Sequence, residues 1–392
     1  MNGYQSIQSR IMMVLLIIAF LSGTSLARIQ TESQNVDSKD LRYIYETGYI
    51  LQDRNDDSVI DFVNTKIVLP ADTKIGELVS TSNIAARLGY ETSAMNLDLT
   101  GFDSDDVQMY EVPVIVIGKD NLLTRYFNPG DIDVSSNLIP GQGWISLISA
   151  DGFFREGGLF ISGVDETGLI SAANYVAGRM PSLWDLKGKS YDDVFDQFSK
   201  FLEEREIESE EIDLKTIIID TEKAGVAKLV MNISFDNEEM FDIALDAFTG
   251  KEDSAEEDQK RVELSGLEFS DLHRIEVNLS SSLKSDIVNL VPAKPWQTTR
   301  SSNSSNTQSP DFTLSQLYSI DGIFRDTNQD LVPDNVISYF SLNGTDAPSG
   351  IIDISSRVGL ESAGIRLPIA QAGGEEEYPD KYGFPVIYGV EH

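Results

Sequence analysis

The sequence predicts a multidomain protein of α/β and α+β type, with mixed sheets carrying helices on one or both faces. Three observations carry this. Hydrophobic residues make up 41% of 392 residues, enough for two or three domains with cores of their own. Strand-length apolar runs alternate with helical patterns. And one stretch occurs twice: Tyr45–Asp61 reads YETGYILQDRNDDSVID, and Tyr318–Asp334 reads YSIDGIFRDTNQDLVPD. Tyr45 matches Tyr318, Ile50 matches Ile323, and Asp53, Asn55, Asp57 and Asp61 match Asp326, Asn328, Asp330 and Asp334. RLGYE at 87–91 then answers RVGLE at 357–361, and VPVI at 112–115 answers FPVI at 384–387. An acidic loop thus introduces an α/β unit, and the pair is duplicated. The second copy reaches His392 just past the counterpart of Val116, with nothing to answer residues 120–186, and reads as incomplete. Either the natural protein continues, or Phe384–Tyr388 pairs with an existing sheet edge.

At the N-terminus, Arg10, the apolar run Ile11–Leu21 and the small residues of Ser25-Leu26-Ala27 read as a signal peptide, 1–27, cleaved after Ala27. The run is too short to span a bilayer comfortably, and the mature chain has no transmembrane segment. Residues 28–42 are a flexible lead-in. The first domain, 43–190, holds the acidic loop and an α/β unit. Its expected elements begin with a strand at Phe62–Leu69 and a helix capped by Asp72 that runs to about Leu88. Ile75, Leu78, Val79, Ser82 and Ala86 lie on one face of that helix, and Gly89 ends it. Strands follow at Thr92–Leu99, Val112–Ile117, Gly143–Ser149 and Gly158–Ser162. The last helix is capped by Asp165, carries Leu169, Ala172, Ala173, Val176 and Met180, and stops at Pro181.

Residues 191–291 read as an acidic helix and a small α+β domain. The helix covers Tyr191 to about Glu206 and runs out into a solvated acidic stretch, Glu203–Asp213. Strands are expected at Lys215–Asp220 and Ala227–Phe235, then a helix at Asn237–Phe248 with Met240, Ile243, Ala244 and Ala247 on one side, then one or two strands within Val262–Leu279. Residues 292–312, dominated by Pro, Ser, Asn and Thr, are a linker. The second acidic loop and the partial repeat occupy 313–392.

Composition removes several function classes. A formal net charge of −34 argues against nucleic acid and anionic membrane surfaces, both of which attract Lys and Arg. With no cysteine there is no disulfide, no thiolate zinc site and no Cys nucleophile, which suits bacterial or archaeal export. Of the two histidines, His273 sits in a strand-like segment and His392 is terminal, so a Ser-His-Asp triad is poorly served. Gly141-Gln-Gly143 and Gly157-Gly158 read as turn glycines, and neither a G-x-G-x-x-G motif nor a P-loop occurs. Carboxylate pairs such as Glu238-Glu239 nominate nothing among 64 acids. Trp144, Trp184 and Trp296 read as packing residues.

The duplicated loops have the form D-x-N-x-D-x-x-x-D. Oxygen ligands alternating along a tight turn converge on one point and suit Ca²⁺, which takes about six to eight oxygens with loose geometry. The loops resemble the Asp-rich calcium loops of dockerins and thrombospondin type-3 repeats, and more distantly the EF-hand loop. The resemblance carries Asp53, Asn55, Asp57, Asp61, Asp326, Asn328, Asp330 and Asp334 onto ligand positions. It departs at Ser58 and Leu331, where a glycine is expected, and at Asn64 and Ile337, where an EF-hand has its terminal Glu. A second resemblance covers roughly residues 60–186. IVLPADTKIGELVSTSNIAARLGYET, PVIVIG and GLFISGVDETGLISAANYVAGRMPSLW are similar to the non-catalytic N-terminal α/β domain of secreted glycoside hydrolases, and to flavodoxin-like domains of the periplasmic cellulose-synthase subunit. It implies an accessory domain that brings no catalytic residue.

The sequence reading is therefore an exported calcium-binding protein of the cell surface or periplasm, binding or structural in kind, with polysaccharide or another exported protein as partner. The alternative is the non-catalytic N-terminal portion of a larger secreted glycoside hydrolase or peptidase whose catalytic domain lies beyond residue 392.

Overall fold

The computed structural model describes residues 40–95, 98–104, 109–128, 138–181, 190–221, 225–249, 274–290, 318–319, 322–326, 329, 334–336, 338–342, 350–373 and 384–388. Residues 1–39, expected to be a signal peptide and most of a lead-in, the expected linker 292–312, His273, His392, Trp184 and Trp296 lie outside them.

The first described strands form a short antiparallel hairpin, β1 (Leu51–Gln52) and β2 (Phe62–Val63), which holds the first acidic loop at its tip. The expected single strand Phe62–Leu69 breaks at Asn64-Thr65. Asn64 still serves the hairpin, donating its N–H to Ile50 O at 2.7 Å. Thr65 Oγ1 and Lys66 N instead donate to Pro113 O, at 2.9 and 3.2 Å. The backbone changes partners there, so β3 (Lys66–Leu69) belongs to a second sheet.

Helix α1 (Ile75–Tyr90) starts later than expected, and Asp72 is not its cap. The preceding loop is drawn toward Asp103, whose Oδ1 accepts the Ala71 N–H at 2.6 Å, and Asp72 is left exposed. Lys74 takes the cap position, and Glu77 reaches back so that its Oε2 accepts the Lys74 N–H at 2.6 Å. Nor does Gly89 end the helix. Every residue from Gly76 to Gly89 is buried, so α1 is covered all round rather than along the one expected face. The expected strand Thr92–Leu99 opens as a turn, with Thr92 Oγ1 and Ser93 N donating to Ile60 O at 3.2 and 2.8 Å. Among the described residues the strand itself is β4 (Thr100–Phe102), and Leu99 O just before it accepts the Ile67 N–H at 2.8 Å.

β5 (Val114–Ile117) is buried throughout, as a central strand should be. β6 (Gln142–Ile148), β7 (Gly158–Gly163) and α2 (Glu166–Gly178) follow. Asp165 caps α2 as expected, its Oδ1 accepting the Gly168 N–H at 2.8 Å. Met180 is buried, but beyond the helix end. Alternation sends Val114 and Val116 to one face, where they pack with Val68, Trp144, Ile148 and Phe160 beneath Leu123, Phe127 and Phe154. Trp144 is thus a core residue, edge-on to Phe160 at 6.0 Å. Helices α1 and α2 pack against the sheet through β5, β6 and β7.

The next elements are α3 (Tyr191–Glu203), β8 (Glu211–Asp220), β9 (Gly225–Ser234), α4 (Glu238–Thr249), β10 (Ile275–Ser280) and β11 (Ser285–Leu290). The sequence assigns them to a domain of their own. In the structure β8 pairs antiparallel with β6, Ile217 to Ile219 lying opposite Gly143 to Ile145, and the sheet continues across the expected boundary. Its nine strands run in the order β11-β10-β9-β8-β6-β7-β5-β3-β4. Pairing these apolar strands removes two edges that would otherwise present unpaired backbone groups. On α4 the buried face is Phe241, Ala244 and Phe248, and Ile243 is exposed. The rings decide the rotation: Phe248 packs on Phe198 and Phe201 of α3 at 6.1 and 5.1 Å.

The acidic stretch Glu203–Asp213 is a solvated helix end only in its first part. Glu211–Asp213 open β8, and Asp213 is buried with Lys215 Nζ at 3.3 Å. Burial pushes the Asp213 carboxyl from 3.8 up to about 6, against the pull of Lys215. The native state therefore holds this proton more tightly than the unfolded chain does, so this group favours folding at low pH, and that contribution is lost as pH rises through the window between 3.8 and about 6. Asp213→Asn is expected to raise the unfolding free energy by roughly 1–2 kcal/mol at pH 7.5 and to change it little at pH 4. Urea titrations at the two pH values check this; a variant less stable than the parent at pH 7.5 would refute it.

The duplication in sequence is also one in structure. β12 (Phe324–Arg325) and β13 (Asn335–Val336) pair as Phe324↔Val336 and Arg325↔Asn335, which repeats Leu51↔Val63 and Gln52↔Phe62. β14 (Ser338–Leu342), α5 (Gly350–Leu360), β15 (Ala370–Ala372) and β16 (Phe384–Tyr388) complete the copy. Its parallel sheet has the order β15-β14-β16, the counterpart of β4-β3-β5. Phe384–Tyr388 thus pairs within its own copy, and Ile369 is buried. Helix α5 packs along α1, which explains why α1 is covered all round. The contact is reciprocal. A Cβ on Gly89 would stand 1.9 Å from Ser356 O, and one on Gly359 would stand 2.0 Å from Ala86 O. Gly89 and Gly359 are equivalent in the repeat, as are Ala86 and Ser356, so each copy offers the same patch to the other, as in a two-fold dimer.

Candidate metal loops and a crevice at the strand ends

In the first loop, Asp and Asn side chains fold onto the backbone that follows them, the local habit that makes these residues turn formers. Asp53 accepts the N–H groups of Asp57 and Ser58, at 3.3 and 2.7 Å. Asn55 Oδ1 accepts the Asp57 N–H at 3.0 Å, and Asp57 Oδ1 accepts the Val59 N–H at 2.9 Å. Asp61 Oδ1 accepts the Arg54 N–H at 2.9 Å, and Asp61 N donates to Gln52 O at 3.0 Å, closing the loop. Asp56 and Ser58 have φ of 60° and 69°. The glycine missing at Ser58 is thus missing where left-handed backbone is required.

The second loop repeats the parts that are described. Gln329, the counterpart of Asp56, has φ of 65°. Asp326 Oδ1 accepts the Gln329 N–H at 2.6 Å, and Asp334 N donates to Arg325 O at 2.8 Å, matching Asp61 and Gln52. Asn328 and Asp330 lie outside the described residues.

Asp53, Asn55 and Asp57 are therefore brought together around one stretch of backbone, with Asp61 tied to it through Arg54. Among the described residues, no three His, Asp or Glu side chains gather in an arrangement that would hold a metal ion. In the first loop the carboxylate oxygens turn onto N–H groups instead. The donor set is all oxygen and lies near the surface, which fits a hard cation such as Ca²⁺ and not a thiophilic metal.

A second place was not legible in the sequence. At the carboxyl ends of β3, β5 and β7 a crevice of about 180 Å³ opens between the N-termini of α1 and α2. Lys74, Glu77, Lys119, Asp120, Asp165 and Glu166 line it, with Gly76, Gly118 and Gly163. Lys74 Nζ pairs with Asp120 Oδ2 at 2.8 Å, and Lys119 Nζ donates to Val164 O at 2.7 Å. Asp165 is engaged twice, by Gly168 N at 2.8 Å and Gly141 N at 2.9 Å. Glu77 is 5% exposed, and burial raises its carboxyl above the ordinary range, opposed by the Lys74 N–H. The available signal was a glycine and an acid directly after an apolar strand, as in VIVIGKD and FISGVDE. Only the strand order brings those two ends side by side.

The fold and these sites define an α/β protein with an internally duplicated unit. No protein-family profile matches the chain, and no curated protein matches it. No helix among the described residues is long and apolar enough to cross a membrane.

Proposed function

We propose that the chain is an exported calcium-binding protein, binding or structural in kind, that holds Ca²⁺ in both acidic loops. Asp53, Asn55, Asp57 and Asp61 supply one set of ligands, and Asp326, Asn328, Asp330 and Asp334 the other. The observation that carries this reading is the duplicated loop frame: two hairpins in the same register, with the same closing hydrogen bond and the same left-handed residue at Asp56 and Gln329. The turn carries Asp53, Asp56, Asp57 and Asp61 against the one cation of Arg54, and a divalent cation would offset that net negative charge. Export follows from the signal-like residues 1–27, and the partner expected for such a protein is polysaccharide or another exported protein.

Calcium bound only to the folded state would stabilise it by about 2.7 kcal/mol per site at a free concentration roughly 100-fold above its Kd. Ca²⁺ is therefore expected to raise the melting temperature, and Asp57→Ala and Asp330→Ala should each remove part of the rise. Titration calorimetry that detects no binding at millimolar Ca²⁺ would sink the reading.

A further inference from the structure

We propose that the crevice between the N-termini of α1 and α2 binds a small molecule through its primary ammonium group, with Glu77 and Glu166 as the acceptors. This stands apart from the calcium reading and uses none of its residues. The crevice lies where β3 leads outward to β4 while β5 leads the other way, toward β6 and β7. Open α/β sheets offer their ligand sites at such a reversal, beyond the carboxyl ends of the strands.

The choice of ligand comes from the groups left over. Both lysines, Asp120 and Asp165 already have partners in the protein. Glu77 Oε2 holds the Lys74 N–H, whereas Glu77 Oε1 has no hydrogen-bond partner among the described residues. Oε1 therefore keeps its acceptor capacity for a donating ligand in the crevice that Glu77 lines. Glu166, at the first position of α2, likewise has no hydrogen bond or ion pair among the described residues. Glycine makes room for both carboxylates. A Cβ on Gly76 would stand 2.4 Å from Glu166 Cγ, and one on Gly118, at φ of 84°, would stand 2.6 Å from Glu77 Oε1.

Four carboxylates against two lysines leave the crevice anionic, so a neutral hydroxyl would satisfy Oε1 without offsetting the charge. A guanidinium is at its best on both oxygens of one carboxylate, and Glu77 has only one to offer. An ammonium is compact, carries three donors and can serve Glu77 and Glu166 together. The volume of about 180 Å³ corresponds to about six waters, which limits the ligand to a few heavy atoms around the head group.

The test compares n-propylammonium, n-propylguanidinium and n-propanol, which share a tail, on the full chain without calcium at constant ionic strength. Saturation-transfer NMR and calorimetry read the binding. Propylammonium is expected to bind with a Kd on the order of 1 mM and the other two at least about tenfold more weakly. Glu166→Gln and Glu77→Gln should each weaken it at least about fivefold, while Asp57→Ala in the first loop leaves it unchanged. In Glu77→Gln the amide oxygen can still accept the Lys74 N–H, and if that variant misfolds the exposed Glu166→Gln decides. No propylammonium binding at 20 mM, equal binding of propanol or propylguanidinium, loss of binding in Asp57→Ala, or full binding in Glu166→Gln would each overturn the proposal.

Discussion

Gly89→Ala is expected to lower the unfolding free energy by about 2–3 kcal/mol, the range of an overpacked core. The sign makes the test informative. At an exposed position inside a helix, alanine in place of glycine adds close to 1 kcal/mol of stability. Gly89 lies inside α1 with ordinary helical backbone, so nothing local opposes the substitution. What opposes it is Ser356 O, which would stand 1.9 Å from the new methyl, together with Leu360 N at 3.0 Å. Both are backbone atoms of α5 and cannot swing aside as a side chain would. Gly359→Ala should behave alike, since its methyl would meet Ala86 O at 2.0 Å. The double variant should lose less than the sum, because either methyl alone already separates the two helices. Denaturant titration reads all three, and a stabilised Gly89→Ala would show that α1 and α5 do not touch there.

Asn83→Ala is expected to cost more, about 3–5 kcal/mol, because it strands several buried backbone groups at once. Asn83 is fully buried on α1 and faces the edge of β15 as a neighbouring strand would. Its Oδ1 accepts the N–H groups of Ile369 and Ala370, at 2.9 and 2.7 Å. Its Nδ2 donates to Ala370 O at 3.0 Å and to Asn174 Oδ1 at 2.8 Å. One amide thus joins α1, α2 and the sheet of the second repeat. Truncation leaves those partners in a site that water reaches poorly. The amide protons of Ile369 and Ala370 should exchange with solvent much faster in the variant, even where the fold survives. A stability loss below about 1 kcal/mol, well under the expected desolvation penalty, would count against this role.

The parts of this protein that are legible in its sequence are those whose causes are local. The duplication is one: equal spacing of Asp and Asn gives two loops with the same turns, and the flanking apolar residues give two hairpins in one register. The buried run VIVI is another, since only a strand covered on both faces can be apolar throughout. The Asp165 cap is a third, because cap and helix are neighbours in the chain. Of the eight loop residues named from the spacing, the structure gathers Asp53, Asn55 and Asp57 and ties Asp61 to them; the second loop is described only at Asp326 and Asp334. What the sequence did not disclose depends on partners far along the chain. Asp72 lost the cap of α1 because Asp103 holds the loop before it. Gly89, locally a good helix stop, serves as the notch for α5. Strands β8 to β11 read as a separate domain, because nothing within residues 191–291 says that β6 has an edge to offer. The crevice at Glu77 exists only because the sheet sets β3, β5 and β7 side by side. Short-range hydrogen bonding and hydrophobic period are written residue by residue. Strand order and helix contacts come from the competition of whole surfaces for burial, and only the folded chain resolves it.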